Sequence, residues 1–292
     1  MKITNGSIEL NVTEDGDPSA PPILLLHGIT SFGGTWEWFV PELSERFRVL
    51  RLDFRGHGHS ARAEGEYTSA GYVSDAVGAI EQVAGQPCIV MGHSLGGVTG
   101  AALTQRHADL LRGAILEDPP LGLAPSNEAV PVTALDGNSL LDGFKLMRQS
   151  IPQLQESGMP VEMLAGVLRA APDTTGTSTF GEKLHSDALQ SMSQAMMLVD
   201  ASVLDPVLTG TIESFLDPAA GFGVPTLVVT ADPSNSDAAA DPTLAHRFAG
   251  LSSDVEVLTI EGAGHLIHDE HGSRDTFRAA TLAFLDRIDA TS

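Results

Sequence analysis

Short apolar runs alternating with longer amphipathic or small-residue stretches predict an α/β fold, a mostly parallel central sheet flanked by helices. Two further observations sharpen this. The runs from residue 47 onward lack polar alternation along much of their length, as strands covered on both faces do. Between Pro119 and about Pro218 the rhythm breaks into helical fragments separated by prolines and glycines, which predicts a helical lid inserted over the carboxyl edge of the sheet. The expected division is therefore a core of 1–118 and 219–292, with a lid of 119–218.

In chain order, strands are expected at 7–13 (SIELNVT), 22–26 (PILLL), 47–52 (FRVLRL), 87–92 (PCIVMG), 112–117 (RGAILE), 225–230 (PTLVVT) and 254–260 (DVEVLTI). Helices fit between or after them at 68–84, 95–107, 241–250 and 273–288. The third opens on Asp241-Pro242, a good start because aspartate caps and proline tolerates the first turn. In the lid, SLLDGFKLMRQSI, VEMLAGVLRA and HSDALQSMSQAMMLVDASVL read as short helices with apolar faces.

Composition narrows the function classes. A formal charge of −22 repels phosphate backbones and anionic lipid surfaces, so neither nucleic acid nor membrane is an expected partner. The opening MKITNGSIELNVTEDG has no apolar core of signal-peptide length and no segment is long enough to span a bilayer, so the expected location is cytoplasmic. The single cysteine, Cys88, lies in an apolar run and reads as a buried, inert thiol.

The chemistry starts at Gly92-His93-Ser94-Leu95-Gly96, where a strand is expected before the serine and a helix after it. A side chain lifted out of so sharp a turn needs small neighbours, which the flanking glycines supply. Ser94 would also lie at the amino end of the next helix, where free N–H groups favour developing negative charge. The competing reading is a serine cap in a glycine turn.

A nucleophilic serine needs a base of suitable pKa, and among ten histidines His265 in GAGHLIH lies on a glycine-loosened loop just past the strand 254–260. His268 and His271, near the last helix, read as surface groups. His27, His57, His59 and His93 read as scaffold or pocket-wall residues.

Together with LLLHGIT at 24–30, LDFRGHGHS at 52–60, ILEDPP at 115–120 and GAGHLIHDE at 262–270, the chain resembles a lid-bearing serine hydrolase of the α/β-hydrolase superfamily over essentially its whole length. The resemblance implies an oxyanion hole formed by the backbone N–H groups of Ile29 and Leu95. It also implies that Arg55-Gly56-His57-Gly58 is structural. Haloalkane dehalogenases and epoxide hydrolases share many of these motifs but attack with aspartate, where this chain has Ser94. Epoxide opening also needs lid tyrosines, and Tyr67 and Tyr72 precede the lid.

The acid is ambiguous. The usual position, a few residues past the strand 225–230, falls on Ser234, with Asp232 two residues early and Asp237 three late. Some relatives place the acid at the end of the strand after the nucleophile helix, here Asp118. Asp118 is preferred, Asp232 is the alternative, and Asp237 comes third.

The expected activity is cleavage of a carboxylic ester, lactone or activated amide of a small to medium substrate through an acyl-enzyme, with no metal or organic cofactor. The rivals are a ligand receptor with vestigial hydrolysis and a carbon–carbon bond hydrolase. Against the latter, the segment 119–215 holds four basic residues to eleven acidic ones, no dense cationic clamp for an acid. Six of eight methionines (Met147, Met159, Met163, Met192, Met196, Met197) fall in the lid and suit either an adaptable pocket wall or ordinary helix packing. Trp36 and Trp38 fit the pocket mouth or the core equally. The expected partner is a small-molecule substrate, with a homodimer left open.

Overall fold

The computed structural model describes residues 1–122, 139–212 and 215–290. Eight strands form one sheet: β1 (Lys2–Asn5), β2 (Ile8–Asp15), β3 (Pro22–Leu26), β4 (Arg48–Asp53), β5 (Cys88–His93), β6 (Leu111–Glu117), β7 (Thr226–Thr230) and β8 (Val255–Thr259). Their order across the sheet is β1-β2-β4-β3-β5-β6-β7-β8, with the β1–β2 and β2–β4 pairs antiparallel and the other pairs parallel. The helices are α1 (Val40–Leu43), α2 (Ser69–Ala79), α3 (Leu95–Arg106), α4 (Ser139–Ser157), α5 (Val161–Ala170), α6 (Phe180–Lys183), α7 (Ser186–Leu198), α8 (Asp205–Leu208), α9 (Pro242–Gly250) and α10 (Arg274–Ala290).

Alternation along each strand divides the core into two layers. Ile23, Leu25, Ile89, Met91, Ile115, Leu227 and Val229 face Trp36, α1 and the Phe277, Phe284 and Leu285 stripe of α10. Leu24, Leu26, Val90, Leu116 and Val228 face α2, α3, α9 and the apolar side of the lid helices. Each fully buried side chain of this size stabilises by about 1.5–3 kcal/mol relative to exposure, so both layers outweigh any local preference.

Helix starts follow their caps. Thr68 accepts from Gly71 N at 3.0 Å ahead of α2, and Asp241 accepts from Thr243 N at 2.8 Å ahead of α9, with Pro242 in the first turn. Between β6 and β7 the described residues 139–212 fold as α4 to α8 and pack over the loops at the carboxyl ends of the strands. The rest of the expected lid at 123–138 and 213–214 lies outside the described residues. No helix among the described residues is long and apolar enough to cross a membrane.

Two expectations are corrected. The first strand, Lys2–Asn5, is too short to stand out by pattern. β8 is not covered on both faces: it ends the sheet, and its residues are half-buried or exposed.

Candidate active site

The chain runs from β3 to β4 on one side and returns to place β5 on the other side of β3, so a crevice opens at the carboxyl ends of β3 and β5. Ser94 stands there. Its backbone has φ 51° and ψ −109°, a conformation that costs a non-glycine residue about 1–3 kcal/mol. The surroundings enforce it: Ser94 N donates to Glu117 O at 2.9 Å and Gly96 N donates to His27 O at 3.1 Å, tying the turn to β6 and to the loop after β3. A Cβ on Gly92 would overlap the Gly96 carbonyl, and one on Gly96 would overlap the Leu26 carbonyl, so both positions require glycine.

His265 reaches Ser94 from the loop after β8. Its Nε2 lies 3.0 Å from Ser94 Oγ, and its Nδ1 lies 2.6 Å from Asp118 Oδ2. A carboxylate only accepts, so Nδ1 donates to Asp118 and Nε2 is left to accept from the serine hydroxyl. All three residues are buried.

Asp118, at the tip of β6, also has positive φ (39°). Its Oδ1 accepts from Ala231 N at 3.0 Å and Ala240 N at 3.2 Å, and its Oδ2 from Ala239 N at 2.9 Å. The loop after β7, where the resemblance would usually place the acid, thus supplies three backbone donors to an acid on the neighbouring strand.

The other two aspartates are engaged elsewhere. Asp232 is half-buried, with one oxygen held by Ser234 and the other by Gly262 N at 2.8 Å. Asp237 is buried against Lys183 and Thr174.

The loop after β3 closes the other side of the crevice. A Cβ on Gly28 would stand 3.4 Å from Ser94 Cβ, which sets Ile29 beside the serine. Thr30 N donates to His57 Nε2 at 3.2 Å, and Thr30 itself has φ 65°. The backbone N–H groups of Ile29 and Leu95 have no hydrogen-bond partner among the described residues.

The sequence model of the alpha/beta hydrolase family matches residues 23–279 of this chain. The chain belongs to that family. A 2-(acetamidomethylene)succinate hydrolase of Mesorhizobium japonicum is 34% identical over 149 residues, 49% of this chain and 51% of the relative. That match thus spans about half the relative's length. An sn-1-specific diacylglycerol lipase of Mus musculus is 25% identical over 289 residues, 93% of this chain and 83% of the relative. The crystal structure of an E-2-(acetamidomethylene)succinate hydrolase superposes with a TM-score of 0.70 at 24% identity, covering 98% of each chain, which shows the shared fold.

In this family member the motif histidines are held as struts. His27 Nδ1 donates to Gly28 O at 2.7 Å while its Nε2 accepts from Phe54 N, and burial lowers its pKa to about 4. His57 donates from Nδ1 to Arg55 O while its Nε2 holds Thr30, and burial, with the neighbouring His27, lowers it to about 3. Both are therefore neutral near pH 7 with fixed tautomers. His93 Nε2 donates to His265 O at 3.0 Å, pinning that histidine's backbone. Arg55 makes a buried pair with Asp75, 2.6 Å at its shorter contact; removing one partner of such a pair costs about 3–5 kcal/mol.

His268 corrects the surface reading. Its Nδ1 donates to Glu117 at 2.8 Å, its Nε2 is 3.0 Å from Thr35 Oγ1, and its ring stacks on Trp36 at 4.4 Å between centroids. Burial alone would lower its pKa, but Asp269 and Glu117 outweigh it and hold the imidazole above its usual range. Burial likewise raises Asp269 to about 6. His271 is exposed, as expected.

His93, Glu117 and His268 offer ligand atoms within 4.8 Å of one another, a geometry compatible with a metal ion, but the bonds just described already engage each of them. Sequence reasoning missed Glu117 and His268. The available signal was a carboxylate closing a buried strand, which requires a partner.

Trp36 is core, while Trp38 is half-buried under the Arg274 guanidinium. Among the methionines, Met147 touches the Thr30 hydroxyl at 4.0 Å, Met196 is buried, and Met163 is exposed. Burial pushes the Cys88 thiol up to about 12.

Proposed function

We propose that this hydrolase cleaves a carboxylic ester of a small to medium, uncharged acyl group through an acyl-enzyme. Ser94 attacks the carbonyl, His265 takes the hydroxyl proton and returns it to the leaving alcohol, and Asp118 holds the imidazole and stabilises its charged form. The unengaged N–H groups of Ile29 and Leu95 receive the oxyanion. Water then repeats the sequence on the acyl-enzyme, with His265 as base. The observation that carries the reading is the unbroken line from Ser94 Oγ to His265 Nε2 at 3.0 Å and from His265 Nδ1 to Asp118 Oδ2 at 2.6 Å.

Two features favour an uncharged acyl group. The side chains placed beside the oxyanion loop, Ile29 and Met147, are apolar. Of the four described lid cations, Lys145, Arg148 and Lys183 are each paired with a carboxylate, and Arg169 is exposed.

A p-nitrophenyl ester series with acyl chains of two to eight carbons tests this in stopped flow. The expected result is a burst of nitrophenolate followed by steady turnover, abolished in Ser94→Ala. A burst followed by negligible release would instead indicate a receptor. Hydrolysis undiminished in Ser94→Ala would remove the reading altogether.

A further inference from the structure

The described lid segment is stitched to the loop that carries His265. Residues 183–185 pair antiparallel with 269–271: His185 N donates to Asp269 O at 2.9 Å and His271 N donates to Lys183 O at 2.9 Å. At this seam the Lys183 ammonium lies 3.0 Å from Asp237 Oδ2, 3.3 Å from Glu270 Oε1 and 3.9 Å from Asp173 Oδ2. All three carboxylates are buried.

Two of them lead directly to the triad. Glu270 Oε2 accepts from Gly264 N at 2.9 Å, one residue before His265. Asp237 lies on the loop whose Ala239 and Ala240 N–H groups hold Asp118.

We propose that Lys183 is a positioning residue for the reaction, a lid ammonium that bridges Asp237 and Glu270 and so fixes the base loop and the acid-clamping loop in one arrangement. The proposal rests on the Ser94, His265 and Asp118 reading above.

The physics is like-charge repulsion at close range in a poorly solvated site. Glu270 Oε1 and Asp237 Oδ1 converge on Gly264: a Cβ added there would stand 2.6 Å and 3.0 Å from them, and 2.5 Å from Lys183 Nζ. Without the ammonium, the carboxylates drive the two loops apart. The His265 to Asp118 distance is the quantity those loops set, and displacement of reacting groups by about 1 Å costs on the order of 10²-fold in rate. Lys183 has no described contact with Ser94, His265 or Asp118, so its removal should act on turnover and leave substrate binding nearly intact.

Lys183→Met is expected to lower kcat for a p-nitrophenyl ester by about 10–100-fold with KM within about threefold, and Lys183→Arg to restore most of the loss. Adding Glu270→Gln to Lys183→Met should recover part of kcat by removing one of the repelling charges. A second readout needs no substrate. The far-downfield proton resonance of His265 Nδ1–H bonded to Asp118, assigned by its loss in Asp118→Asn, should broaden or shift in Lys183→Met and return in Lys183→Arg.

Wild-type kcat and an unmoved resonance in Lys183→Met would overturn the proposal. So would loss through KM alone, or failure of arginine to rescue. Should Lys183→Met not fold, Lys183→Gln carries the same two readouts, and wild-type kcat with an unmoved resonance there would again overturn the proposal. Failure of the ester reading itself would show differently, as absence of acylation in the wild-type protein with the resonance and its dependence on Lys183 intact.

Discussion

At the scale of single residues, the proposed acid lies beside the place where the resemblance usually puts it. Asp118 is gripped by three backbone N–H groups from the β7 loop in addition to His265. Replacing it with asparagine turns an acceptor into a partial donor toward His265 and upsets the tautomer. We expect Asp118→Asn to lower kcat by about 10³–10⁴-fold. Asp232→Asn keeps an oxygen for Ser234 or Gly262 and should change kcat/KM by no more than a few-fold. Parallel steady-state kinetics on the two variants would decide it, and the reverse ranking would move the acid to Asp232. Ser94 and His265 were legible because strained glycine turns and loosened loops leave local marks in a sequence. The choice between Asp118 and Asp232 was not, because it depends on β6 and β7 being neighbours in the sheet. His268 was misread for the same reason: only the fold brings Glu117 beneath it.

At the scale of elements, periodicity carried most of the architecture, since residues buried in two layers alternate along β3 to β7. It failed where a strand was short, as in β1, or at the sheet's edge, as in β8. It also ended α4 too early. α4 continues through Pro152 to Ser157, where buried Ile151 and the Gln155 amide, bonded to Met196 O and Val199 O, hold the chain despite the missing N–H. The turn at Ser94 makes a sharper claim about glycine. Alanine in place of a helical glycine ordinarily stabilises by up to about 1 kcal/mol. Gly166, exposed in α5 with nothing near its Cβ direction, should follow that rule, whereas Gly96 should not, because its new methyl meets the main chain of β3. Thermal melts should show Gly166→Ala raised slightly with activity intact. Gly96→Ala should lose about 3 kcal/mol or more, or fail to fold. Equal stability in the two would refute the close approach of α3 to β3.

At the scale of the whole molecule, 38 acidic residues against 16 basic ones make self-repulsion the dominant long-range term near pH 7. Salt screens it, so raising NaCl from 0.05 to 0.5 M should raise Tm by a few degrees. With repulsion suppressed, pH dependence reads the buried groups. The folded-state pKa values of His27 and His57 are depressed to about 4 and about 3, and burial holds His93 well below the imidazole range. Their unfolded values lie near 6.5, so the unfolded chain binds the extra protons. Their contribution to stability is complete above pH 6.5 and is lost as pH falls toward the folded values. Asp269, raised to about 6, and Glu270, raised by burial, act in the opposite sense over part of that range, because protonation favours their folded forms. His268, held above its usual range by Asp269 and Glu117, acts in that opposite sense too, while His185, lowered by burial, adds to the histidine side; the large depressions of His27, His57 and His93 leave a net loss of stability on acidification from pH 6.5 toward 4.5. Urea unfolding in 0.5 M NaCl should therefore give a lower midpoint at pH 5 than at pH 7. A flat or rising midpoint would mean that the struts around Ser94 are charged in the folded protein, and their single-donor, single-acceptor bonding pattern would then have to be abandoned.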